Sequence, residues 1–186
     1  MKKILIIFLF FCCYQVFGTN QKPDKVIYNG KEYSLAFDVF PMEDYFKKNP
    51  EKHPKKIRLK ESQDEEVEIV ISSSLWRGYV ATFEIIENEL YLKDIEIIKD
   101  MNGNYESIIH KIFPNGKKLK IDWLDGDFRL NGKFKNYDND EGVRFESYIH
   151  LKIKKDKIVT IKELNHQELK EYHIKEIKLF LPIKEE

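Results

Sequence analysis

"GYVATFEIIENELYLKDIEI", residues 78–97, decides the fold class. Apolar and polar residues alternate along it with the period of two expected of half-buried strands. A two-residue reversal at Glu87-Asn88 folds the stretch on itself, with Asn88 where glycine usually stands. Ile85 then faces Leu90, Phe83 faces Leu92, and Ala81 shares their side. Thr82, Glu84, Tyr91 and Lys93 form the opposite side. A one-residue slip would mix the two sets, so the pattern itself fixes the register. Past Leu92 the phase changes, and Ile95 and Ile97 fall on the side of Val80. Either a bulge rotates the strand there or another element covers both faces. The joint switch of Val80 and Ile95 favours cover.

Reversal signals recur along the rest of the chain. Four glycines follow asparagine, at Asn29-Gly30, Asn102-Gly103, Asn115-Gly116 and Asn131-Gly132, and two follow acids, at Asp125-Gly126 and Glu141-Gly142. Both residue types tolerate the positive φ of tight turns. "KVIYNGKEYSL" (25–35) reads as a hairpin across Asn29-Gly30. "LKIDWLDGDFRL" (119–130) reads as another, in which a turn at Asp125-Gly126 pairs Trp123 with Phe128, Ile121 with Leu130 and Asp122 with Arg129. "RFESYIHLKI" (144–153) alternates as one strand and returns through Lys155-Asp156 as "KIVTIKEL" (157–164). "VEIVI" (67–71) and "IKLFLPI" (177–183) also read as strands. Helix is confined to a turn after Pro41, to 104–113 with Asn104 as cap, and to 165–174 with Asn165 and Glu168 as a capping box. The expected architecture is α+β and mainly antiparallel β-sheet, about eight to ten strands with one or two short helices.

Residues 1–18 read as a signal peptide rather than as fold. Lys2 and Lys3 precede an apolar run from Ile4 to Cys13, and Val16 and Gly18 suit cleavage after Gly18. The run is shorter than the roughly 20 residues of a membrane span. Lipidation at Cys12 or Cys13 is the rival, disfavoured by bulky Phe11, and an uncleaved leader would tether the chain to the membrane. Residues 19–186 then form one β-rich globular domain, secreted or periplasmic. That domain holds neither cysteine, which excludes thiol catalysis and Cys-ligated zinc. Without Lys2 and Lys3 it carries two more acids than bases, so nothing electrostatic recommends nucleic acid as a partner.

Candidate binding residues are few. Trp76 and Arg77 precede Gly78 and offer an aromatic and a guanidinium to a sugar or carboxylate; the competing reading puts Trp76 in the core. Asp122 and Arg129 form either a patch on a wet sheet face or a plain cross-strand ion pair. The acids at Asp138, Asp140 and Glu141 lack the frame of a calcium loop. His166 and His173 lack a third ligand at zinc-site spacing. No catalytic residue, metal or cofactor is assigned.

"LWRGYVATFEI", "LYLKDIEI" and "IDWLDGDFRL" resemble a family of small bacterial proteins carrying Gly-Tyr-x-Ala-Thr-Trp-Glu-Ile, then Leu-Tyr-Leu, then Asp-Trp-Phe-x-Gly-x-Leu-Arg-Ile. The shared positions are Trp76, Arg77, Gly78, Tyr79, Asp122, Trp123, Gly126 and Arg129, with Phe83 and Leu124 replacing the family's Trp and Phe. The resemblance implies one compact domain and no particular activity. The expected function is a non-enzymatic binding or interaction domain whose partner is another envelope or secreted protein. It would present Arg77, Asp122 and Arg129 on an exposed patch. The alternative is a hydrolase using paired carboxylates, or His110 or His150 against a carboxylate such as Glu146 or Asp122.

Overall fold

The structure, a computed structural model, describes residues 21–36, 39–58, 72–100, 102–116, 118–139 and 142–172. The signal peptide expected at 1–18 and the strands expected at 67–71 and 177–183 lie outside the described residues. The described residues contain eleven strands: β1 (Lys25–Tyr28), β2 (Lys31–Leu35), β3 (Val80–Ile86), β4 (Glu89–Ile98), β5 (Tyr105–Ser107), β6 (Leu119–Lys120), β7 (Gly126–Asn131), β8 (Phe134–Asp138), β9 (Gly142–Phe145), β10 (Tyr148–Lys154) and β11 (Lys157–Leu164). Nine form one sheet in the order β11-β10-β7-β2-β1-β3-β4-β5, with β6 also on β4, while β8 and β9 pair apart. Every described pairing is antiparallel except that of β1 with β3. The class is α+β and sheet-dominated, as expected.

Three reversals share one geometry. Asn29-Gly30, Glu87-Asn88 and Lys155-Asp156 all have positive φ at both residues. This is the turn whose twist matches that of the strands it joins. Accordingly Tyr28 pairs with Lys31, Ile86 with Glu89 and Lys154 with Lys157. Ile85 faces Leu90 and Phe83 faces Leu92, as the alternation requires.

The phase change in β4 has a different cause from the expected one. Thr82 pairs with Asp94 but Phe83 with Leu92, so Lys93 is an extra residue in a bulge. The bulge returns Ile95 and Ile97 to the face of Leu90 and Leu92, and all four are buried in the main core. Val80 remains on the other face, where Leu75, Ile98 and Tyr105 cover it. Bulge and cover thus act at the same end of the hairpin, on different residues.

The sheet curls until its far ends meet. The Ile158 N–H donates to the Asn88 carbonyl over 2.9 Å. The Lys120 Nζ reaches Glu89 at 2.8 Å and Asp156 at 3.1 Å across the same seam. The inner face buries Val26, Phe83, Leu130, Ile149 and Leu151. Met42 and Phe46 of the helix Met42–Lys48, together with Ile112 and Ile121, fill the opening. That helix has Glu43 and Asp44 in its first turn and Lys47 and Lys48 in its last, the arrangement its dipole favours. Helix continues through Pro50–Lys52 and 54–58, further than the single turn expected. Pro50 and Pro54 each open a helical segment, where the missing N–H is not needed.

Two other expectations need correction. Residues 104–113 are half strand, since Tyr105–Ser107 pairs with β4 and only Ile109–Ile112 is helical. The hairpin at 119–130 does not form. Leu119 and Lys120 pair with β4, whereas β7 pairs with β2 and β10. Trp123 and Phe128 are therefore not cross-strand neighbours. The Trp123 indole N–H donates to the Pro41 carbonyl at 2.8 Å, and its ring stacks on Tyr45 at 5.8 Å. Those contacts carry residues 121–124 over the mouth of the curled sheet instead of back along β7.

Candidate functional site

Trp76 and Arg77 exchange the environments that residue type suggests. Trp76 is 56% exposed, with the Lys55 ammonium 5.4 Å from its ring centroid. Arg77 is 1% exposed. Its Nη1 lies 3.0 Å from Asp24 Oδ1, and its Nη2 donates to the Lys22 carbonyl at 2.8 Å. The guanidinium stacks over Phe40 at 3.9 Å. Asp24 Oδ1 also accepts the Ala81 N–H at 2.9 Å, while Asp24 Oδ2 and Arg77 Nε have no hydrogen-bond partner among the described residues. Burial raises the Asp24 pKa to about 6 despite the adjacent Arg77. The unmet oxygen is consistent with that direction. Arg77 therefore locks residues 22–24 to the start of β3 and presents no guanidinium to solvent. The cause is Asp24, whose partnership with Arg77 has no local sequence signature.

Asp122 and Arg129 are not joined. Asp122 is exposed in the segment between β6 and β7. Arg129 lies on the outer face of β7, paired in register with His150 on β10. Its Nε is buried without a hydrogen-bond partner among the described residues. No hydrogen bond or ion pair among the described residues links any two of Trp76, Arg77, Asp122 and Arg129, so the patch expected from three of them is not assembled. His150 instead has its Nε2 2.9 Å from Asp127 Oδ1, too misaligned for a hydrogen bond. Lys152 holds the other Asp127 oxygen at 3.3 Å. The His150 ring is buried beneath Tyr172, 4.5 Å between centroids. Histidine does meet a carboxylate here, but Asp127 rather than Glu146 or Asp122.

A further surface, with no local sequence signal, lies beyond this face. The β7–β10 ladder continues past the sheet. Gly132 N–H donates to the Ser147 carbonyl at 2.9 Å and Glu146 N–H to the Lys133 carbonyl at 2.8 Å, after which Phe134 pairs with Phe145. Residues 126–139 and 142–154 thus continue one ladder whose far half, β8 and β9, forms a separate two-stranded ribbon. Gly132 is no turn residue: a Cβ there would stand 2.6 Å from Ser147 Oγ and 2.9 Å from its carbonyl oxygen. The register skips Lys135, since Phe134 pairs with Phe145 and Asn136 with Arg144. This bulge places Phe134, Tyr137, Val143 and Phe145 on one face. Phe134, Tyr137 and Val143 are 56%, 66% and 41% exposed, three of the five large apolar side chains so exposed among the described residues. The other face carries an Arg144–Asp138 ion pair of 2.9 Å.

The ribbon is anchored at its base. Phe145 packs edge-on against Tyr148 at 5.9 Å, and its N–H donates to the Tyr148 hydroxyl. A helix at 166–172 buries Leu169 against Tyr148 and Leu164. It opens with the capping box expected from sequence: Asn165 N–H to Glu168 at 2.8 Å and Glu168 N–H to Asn165 at 3.0 Å. Alternation alone would not reveal the apolar face, because the bulge sets Phe134 and Tyr137 three residues apart.

No family model, curated protein or solved structure matches this chain. Among the described residues no helix is long and apolar enough to cross a membrane, and no cluster of three metal-ligating side chains occurs.

Proposed function

We propose that this chain is an exported, non-enzymatic binding domain that docks another envelope or secreted protein through the apolar face of the β8–β9 ribbon. The observation that carries this reading is the exposure of Phe134, Tyr137 and Val143 on one side of a separate two-stranded element. Contiguous exposed apolar surface on a soluble domain marks interaction sites. Among the described strands none pairs with the outer edge of β8 or β9, so backbone groups there are also available for strand addition. Trp76, exposed beside Lys55, is a second aromatic contact of the same kind.

The test is capture from the native envelope fraction with residues 19–186 as bait. The wild-type chain should retain a saturable protein partner. The double variant Phe134→Ser/Tyr137→Ser should lose it while unfolding at the same urea concentration. Retention by both chains, or no partner for either, sinks the reading. Mass measurement of the exported protein checks cleavage after Gly18. A hydrolase remains the second reading, and the His150–Asp127 approach is what favours it. Hydrolytic turnover abolished by Asp127→Asn in a folded protein would promote it over the first.

A further inference from the structure

Strands β5 and β6 cover the outer edge of β4 incompletely. β5 pairs with Glu96–Ile98 and β6 with Tyr91 and Leu92, which leaves the bulge at Lys93 between them. A half-open groove of about 220 Å³ lies at this gap. Leu92, Ile109, Phe113 and Leu119 supply its apolar wall. Lys93, His110 and Lys118 supply its polar lining, and no carboxylate among the described residues lines it. Lys93 is already engaged by Glu84 at 3.3 Å. His110 and Lys118 are exposed and have no hydrogen-bond or ion-pair partner among the described residues.

We propose that this groove binds a small organic carboxylate with a short apolar body. An apolar wall beside two uncommitted donors, with no acid opposite them, is complementary to one negative head and one hydrocarbon tail. The carboxylate accepts from Lys118 and His110, and the tail covers Leu92 and Phe113. The volume is below the roughly 300–1,000 Å³ of sites for drug-sized molecules, which restricts the ligand to a few carbons. The tail supplies most of the affinity and the donors select charge, because an exposed ion pair is weak by itself. This site is independent of the ribbon and of any partner bound there.

Hexanoate, butanoate and hexan-1-ol, titrated into the full chain and followed through backbone amide NMR shifts, test the proposal. Hexanoate should produce saturable shifts in residues 92–93 and 109–119. Butanoate should bind about fifteenfold more weakly, at about fourfold per methylene lost. Hexan-1-ol and the variant Lys118→Glu should each weaken binding at least about fivefold. Lys118 is exposed, so the variant's spectrum should otherwise match the wild type, and His110→Ala gives a second reading of the same contact. Equal binding of the alcohol, saturation at another surface, or no saturable shift overturns it.

Discussion

The Arg77 corner and the β8–β9 ribbon invert each other. At the corner a full charge pair is buried beside the start of β3. On the ribbon two aromatic rings and a valine are left in water. Each departs from the ordinary partition of polar groups outward and apolar groups inward, yet with opposite meaning. A buried pair is costly to separate, because removing one partner strands the other in a medium that cannot solvate it. An exposed apolar cluster has little to lose on substitution, because the folded chain gains nothing from it. The corner should therefore govern stability and the ribbon association.

The sharpest break of that contrast is Arg77→Ala. It should destabilise the domain by about 3–5 kcal/mol, read by urea unfolding, because Asp24 is left buried and unpaired. A smaller loss would mean that water reaches the corner. Next comes pH. The folded state keeps a proton on Asp24 up to about 6, whereas the ordinary carboxylate value is 3.8. In that window the folded chain binds more protons, so the Asp24 contribution makes stability fall as pH rises from about 4 to about 6 and level off above. The fall is at most about 3 kcal/mol, and Asp24→Asn should flatten it. Third, Gly132→Ala should cost about 1–3 kcal/mol, since the new methyl meets a backbone oxygen of Ser147 that cannot swing away. Tyr137→Ser marks the other extreme. It should move the unfolding midpoint by less than about 0.5 kcal/mol in stability. A large loss there would make the ribbon a structural element rather than a docking one.

How much of this was legible in the sequence depends on how local the cause was. The hairpin at Glu87-Asn88 and the capping box at Asn165 and Glu168 are set by neighbours, and both stand as read. The run 119–130 satisfied the same alternation test and failed. Alternation tells which side of a strand a residue faces but not which strand lies alongside. The true partners of β7 are residues 148–153, further along the chain, and Ser34 and Leu35, far before it, while the indole of Trp123 is claimed by Pro41. Site residues suffered more. Arg77 reads as a ligand contact because nothing near it in sequence announces Asp24, which lies 53 residues earlier. The ribbon's apolar side is hidden in the sequence because one extra residue, Lys135, breaks its alternation.

The central position of the earliest strands has a kinetic consequence. β1 lies between β2 and β3, and β2 waits for β7, so the middle of the sheet cannot close until the chain has been made at least to Asn131. Closure over such separations is slow, on the order of milliseconds to seconds for sheet-dominated domains. A nascent chain of this design therefore lacks its central strand pairing while most of its length is still being made.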